Sequence, residues 1–117
     1  MKIEFFMAME PPTITYQMKG VAVKNGKAFM YNSAELNAAK IKLRAYLSGH
    51  VPEKPLEGPV WLGVKWCFSI KGNHRDGEYK TSKPDTDNLE KMLKDVMEEL
   101  GFFKNDAQVA SEHIEKF

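Results

Sequence analysis

The chain has 117 residues, of which 43% are hydrophobic, a single cysteine and a formal net charge of +1, so it is expected to form one domain over residues 1–117 with a modest core that a second copy would help to cover. The lone Cys67 excludes an intramolecular disulfide and a cysteine-based zinc site, and no apolar run approaches membrane-spanning length. Glu4 falls where a signal peptide needs its apolar centre, so the expected compartment is the cytoplasm.

In chain order, residues 3 to 9 and 13 to 23 read as strand material broken by Pro11-Pro12. Asn25-Gly26 is a two-residue turn signal leading into Lys27 to Tyr31, which predicts a β-hairpin. Asn32 or Ser33 then caps a helix with Leu36, Ala39, Leu43, Tyr46 and Leu47 at helical spacing, Lys40 and Arg44 on its other face, and Gly49 and Pro52 closing it. The Pro-rich connector from Pro52 to Pro59 is too short to separate domains. From Val60 to Ile70 apolar residues alternate without a break, predicting a strand with one core face. Trp61 and Trp66 then face opposite ways, Trp66 toward the core and Trp61 toward an interface or DNA. The segment Lys71 to Ser82 has two glycines and no apolar periodicity, and reads as a mobile, mostly basic loop. Its Lys71, His74, Arg75 and Lys80, with Lys83 just beyond, are the candidate phosphate contacts.

The best-marked element follows. Leu89, Met92, Leu93, Val96, Met97 and Leu100 form one apolar stripe. Pro84 with Asp85 or Asp87 marks the start of this helix, and Gly101 supplies its left-handed stop. Asp87, Lys91, Lys94, Asp95 and Glu98 share the opposite face. Beyond Phe102-Phe103 the chain reaches Asp106 just before an alternating run from Gln108 to Ile114, a return that could bring Asp106 near Asp85 and Asp87. The order β-hairpin, helix, strand, helix, strand predicts an α+β domain, a small mixed sheet with two helices packed on it.

The charge is unevenly placed. Residues 11 to 50 hold six basic residues against Glu35, whereas 84 to 117 hold nine acids against four lysines. A basic surface beside an acidic centre suits an enzyme acting on a polyanion, although ordinary solvated faces explain the same charges. Three carboxylates, Asp85, Asp87 and Asp106, would make an all-oxygen site of the kind preferred by Mg²⁺ or Mn²⁺. Taken one at a time, they read better as a turn residue, a helix cap and a solvated loop acid. An EF-hand loop counted from Asp85 is excluded, since its sixth position is Glu90 and its twelfth Val96. Lys91 is either the ion-pair partner of Asp87 one turn away or a cation that neutralises charge on a phosphate, and spacing does not choose between them. His50, His74 and His113 have no ligand spacing.

The run Asp85-Thr86-Asp87-Asn88-Leu89-x-Lys91, followed by Gly101-Phe102-Phe103-x-Asn105-Asp106-Ala107-Gln108-Val109 and Lys116, closely resembles the RusA family of Holliday junction resolvases, often carried by prophages. Pro11-Pro12-Thr13 and the stretch from Asn25 to Glu35 fit its opening more loosely. The resemblance implies a homodimeric, Mg²⁺-dependent endonuclease that cuts opposed strands of a four-way DNA junction symmetrically in recombination and repair. Asp85, Asp87 and Asp106 would hold the metal, and Lys91 would be the basic active-site residue. Pro84 stands where many members have a basic residue, Asn105 replaces the first of two adjacent acids, and Thr15 replaces an asparagine. Phe117 falls short of the last strand usual in the family, so the sheet is expected to lack an edge. The departures at Asn105 and Pro84 keep a rival reading open, a junction-binding module that has lost cleavage.

Overall fold

The structure, a computed structural model, describes residues 1–15 and 34–117 with their side chains and 20–24 and 27–31 as backbone. Two strands, β1 (Gly20–Lys24) and β2 (Lys27–Tyr31), pair antiparallel, with Gly20 opposite Tyr31 and Lys24 opposite Lys27. That is the register a two-residue turn imposes, although Asn25-Gly26 itself, like the expected cap at Asn32 or Ser33, lies outside the described residues. Helix α1 (Ala34–Leu47) follows, then a short 3-10 turn (Ser48–His50), strand β3 (Val60–Trp66), helix α2 (Thr86–Leu100), a second 3-10 turn (Asp106–Gln108) and strand β4 (Val109–Lys116). The arrangement is α+β in the expected order. Its strands are divided between two ribbons, the antiparallel β1–β2 pair and a parallel β3–β4 pair.

The parallel pair explains the middle of the chain. Parallel neighbours cannot be joined by a tight turn, and here α2 with its flanking loops is the crossover that returns the chain. The register runs from Val60 opposite Val109 to Trp66 opposite Lys116, with one irregularity between Val60 and Trp61. The strand expected to reach Ile70 stops at Trp66 because pairing ends there. Phe117 N–H donates to the Trp66 carbonyl at 2.8 Å and Phe68 N–H to the Phe117 carbonyl at 3.0 Å, and beyond Phe68 no backbone bond joins this segment to β4 among the described residues.

The core lies between the helices and the β3–β4 pair. Leu36, Leu43 and Leu47 of α1 meet Leu89, Met92, Leu93, Val96 and Met97 of α2, with Trp66, Phe102 and Phe103 closing the cluster. The stripe in α2 is buried as its spacing predicts, and Gly101 ends the helix in the left-handed conformation at φ 93°. In α1 Tyr46 is exposed, so its apolar face is narrower than its composition suggests. Lys40 and Arg44 do not simply face solvent, since both pair with Glu99 near the end of α2.

Residues 3 to 9, expected as a strand, belong to no strand among the described residues. Their alternation has another cause. Ile3, Phe5, Met7 and Met9 are half-buried while the residues between them are exposed, and Phe5 stacks on the His50 ring with centroids 4.0 Å apart. The segment is an extended strip held by side chains, with period-two burial and no backbone ladder. No helix among the described residues is long and apolar enough to cross a membrane.

Candidate functional site

The N-terminal end of α2 gathers most of the expected site. Asp85 is the N-cap, half-buried, with φ −73° and ψ 146°, and its side chain makes no capping hydrogen bond. Its carbonyl accepts from Leu89 N–H at 3.1 Å, so the backbone caps the helix while the carboxylate is spared that task. Asp87 lies exposed in the first turn, and Lys91 is exposed one turn later. The partial positive charge of a helix N-terminus favours carboxylates there. Lys83 donates to Asp85 at 3.1 Å, an exposed pair that contributes little stability. The Lys83–Pro84 peptide bond is cis and Pro84 is buried.

Asp106 lies elsewhere. Its N–H donates to the Glu98 carboxylate at 2.7 Å, which places it by the C-terminal end of α2. At about 1.5 Å of rise per residue, Asp85 and Glu98 are separated by roughly 20 Å of helix axis. The return through Phe102 and Phe103 therefore does not bring Asp106 to Asp85 and Asp87 within one chain. Among the described residues no three His, Cys, Asp or Glu side chains form a group that could hold a metal ion.

The loop before α2 is stitched to β4. Lys80 N–H donates to the Lys116 carbonyl at 2.8 Å, and the Tyr79 hydroxyl donates to Glu115 at 2.7 Å. That bond raises the Tyr79 pKa and lowers that of Glu115. The Lys80 ammonium sits 5.1 Å from the Phe68 ring centroid. Lys80, Asp85, Thr86, His113 and Lys116 line one open groove of about 550 Å³. Arg75 lines a neighbouring cavity of about 260 Å³ with Phe68 and Phe117, and Lys71 and His74 are exposed on the loop. The structure thus places Lys80 and Lys83 beside Asp85, and Lys71, His74 and Arg75 farther along the same loop. Trp61 is 66% exposed, facing away from the core as the alternation requires.

Three features escaped the sequence reading. The first is Glu90, only 2% exposed on the helix that carries Asp87 and Lys91. One carboxylate oxygen accepts from the Trp66 indole at 3.0 Å and the other has no partner. Burial pushes its pKa from 4.5 up to about 7, reinforced by Glu112 and opposed by the Trp66 bond and Lys94. The wheel gave a signal, since Glu90 lies about 20° from Met97, at the margin of the apolar stripe. The second is Gln108, whose amide donates to the carbonyls of Leu56 and Gly58 while its oxygen accepts from Lys104 and Asn105 N–H groups. The third is Asn105, which caps the second 3-10 turn by accepting from Ala107 N–H at 2.8 Å. An asparagine where the family pattern has an acid is here a local capping residue.

Comparison with known proteins adds to this geometry. The family model described as Endodeoxyribonuclease RusA matches residues 11–117. A crossover junction endodeoxyribonuclease rusA of Lactococcus phage r1t is 34% identical over 111 residues, covering 93% of this chain and 83% of that protein. YqaN, an uncharacterized protein of Bacillus subtilis (strain 168), is 30% identical over 107 residues, covering 82% of this chain and 75% of its own length.

Proposed function

Since the chain belongs to the RusA endodeoxyribonuclease family, we propose that it is a cytoplasmic, homodimeric, Mg²⁺-dependent nuclease that resolves four-way DNA junctions, with each active site built from two chains. The observation behind the two-chain site is the length of α2, which holds Asp85 and Asp87 at one end and Asp106 at the other. A second chain related by two-fold symmetry, with its α2 running the opposite way, would present its Asp106 to Asp85 and Asp87, and the same operation would complete the second site. The donor set fits a hard divalent ion, because it consists of carboxylate oxygens with no histidine or thiolate among them. Mn²⁺ would fit the same ligands.

Asp85 and Asp87 would hold the ion on one chain and Asp106 on the other. When bound, such an ion supplies Lewis acidity toward a phosphate oxygen and acidifies water. The chain's own residues do the rest. Lys91, exposed one turn beyond Asp87, is placed to stabilise charge on the phosphate. Lys80, which lines the groove, and Lys83, which pairs with Asp85, would grip neighbouring phosphates, and Lys71, His74 and Arg75 would extend that contact along the loop. A two-fold dimer with two such sites matches a junction cut on two opposed strands.

The test uses a synthetic four-way junction with Mg²⁺, compared with linear duplex, and two variants, Asp85→Asn and Asp106→Asn. Each variant alone is expected to be inactive. Mixed and allowed to exchange subunits, they form a heterodimer in which both substitutions fall in one site and the other site is intact, so nicking activity returns. A mixture as inactive as its components would overturn the two-chain site. Cleavage of duplex and junction at equal rates would overturn junction specificity.

A further inference from the structure

The end of β4 and the start of α2 meet at one side chain. The Lys116 ammonium donates to the Ser82 carbonyl at 2.6 Å and to the Pro84 carbonyl at 2.7 Å, while its own backbone carbonyl accepts from Lys80 N–H at 2.8 Å. The last residue of the strand thus clasps the loop from both sides. The Pro84 carbonyl belongs to the peptide plane that joins Pro84 to Asp85, so fixing it fixes the plane from which the Asp85 side chain departs. The Asp85 side chain makes no capping bond, and the residue's own restraints are the exposed Lys83 pair and the Leu89 N–H bond to its carbonyl, neither of which holds the Pro84 carbonyl. Burial lowers the Lys116 pKa, the Lys80 ammonium lowers it further, and the Asp85 charge opposes both. Lys116 and Asp85 line the same groove.

We propose that Lys116 is a positioning residue of the cleavage reaction, its ammonium holding the Ser82 and Pro84 carbonyls so that the Asp85 carboxylate is aimed into the groove before metal or DNA arrives. This rests on the reading of Asp85 as a metal ligand. A preset ligand costs less to order when the ion binds, and groups that orient a ligand in this way commonly affect metal affinity tenfold to a hundredfold. Lys116 need not touch DNA or the ion to act.

The test compares Lys116→Met, Lys116→Arg and Asp85→Asn in the full chain. Mn²⁺ binding is followed by electron paramagnetic resonance without DNA, hydrogen exchange at the Leu89 amide reports on the helix start, and single-turnover junction cleavage is measured on the same samples. Lys116→Met is expected to weaken Mn²⁺ binding by more than about tenfold and to speed exchange at Leu89, with junction affinity within roughly threefold of the parent. Lys116→Arg, which can still donate to both carbonyls, should recover much of the loss. Mn²⁺ affinity and cleavage both within about twofold of the parent in Lys116→Met would overturn the inference. Should that variant melt too early to assay, Lys116→Gln, uncharged but able to reach one carbonyl, is held to the same limits. Asp85→Asn separates the two levels. If it keeps Mn²⁺ binding and cleavage, the reading of Asp85 is wrong, and if it loses both while Lys116→Met keeps them, only the role of Lys116 fails.

Discussion

The two ends of α2 carry acids in opposite settings. At the C-terminal end polar groups tie the chain to itself: Gly101 N–H bonds the Met97 and Glu98 carbonyls, Glu98 accepts from Asp106 N–H, Asn105 caps the turn, and Gln108 ties it to the connector. At the N-terminal end the backbone is secured while Asp85 lines an open groove with Lys80 and Lys116, and Asp87 lies exposed in the first turn. The difference separates what holds a fold from what is available to a substrate. Asp106 is the exception at the tied end, because its backbone is fixed there and its carboxylate is proposed to serve a partner chain.

The largest effect is expected at the open end. Asp87→Asn removes a proposed ligand and one negative charge facing phosphate, so cleavage should fall by more than about three powers of ten while junction binding holds or tightens. The variant should fold, since an exposed first-turn Asn costs little. Parent-rate cutting in Mg²⁺ would remove Asp87 from the site.

Lys91 comes next. If its only role were a surface ion pair, Lys91→Met would cost at most a few tenths of a kcal/mol and leave cleavage nearly unchanged. As a cation stabilising charge on the phosphate it should be worth about 2–4 kcal/mol of barrier, or roughly two to three powers of ten in single-turnover rate, with the melting temperature unmoved. A rate within about threefold of the parent would return Lys91 to the surface pairs.

Glu90 tests the buried side of the same helix by stability. Its folded pKa, about 7, lies above its ordinary 4.5, so between these values the unfolded chain has released a proton that the folded chain keeps. Stability must fall as pH rises through that window and level off above it, by as much as roughly 3 kcal/mol if the whole shift is expressed. Glu90→Gln keeps an acceptor for the Trp66 indole and removes the titration. It should melt higher than the parent at pH 8, with the advantage gone by pH 5. Parallel melting profiles across that range would show that Glu90 does not titrate there.

These contrasts mark how far the sequence could be read. Helix α2 was legible because its stripe, its proline-aspartate start and its glycine stop are local signals that agree. The β1–β2 hairpin was legible for the same reason. Residues 3 to 9 misled because alternating burial is shared by a paired strand and an extended strip docked by its side chains. The distance from Asp106 to Asp85 was missed although the helix bounds imply it, since 15 residues at about 1.5 Å each carry the chain roughly 20 Å before β4 returns. Lys116 was visible only as a motif residue, since its two carbonyl partners lie 34 and 32 positions away.

The smallest effect belongs to the tied end and bears on whether the chain cleaves DNA at all. Had Asn105 marked a decayed metal site, Asn105→Asp would restore a ligand and raise cleavage, most visibly at limiting Mg²⁺. As a capping residue it predicts otherwise. Aspartate caps about as well as asparagine, so Asn105→Asp should leave stability within a few tenths of a kcal/mol and cleavage unchanged. Asn105→Ala strips the acceptor from Ala107 N–H and should cost about 1 kcal/mol, with cleavage at saturating Mg²⁺ again unchanged. A several-fold gain in Asn105→Asp at limiting Mg²⁺ would place residue 105 in the metal site and revive the reading of a weakened nuclease. Equal rates with lower stability in Asn105→Ala would keep the substitution at the tied end, where it shapes the turn that presents Asp106.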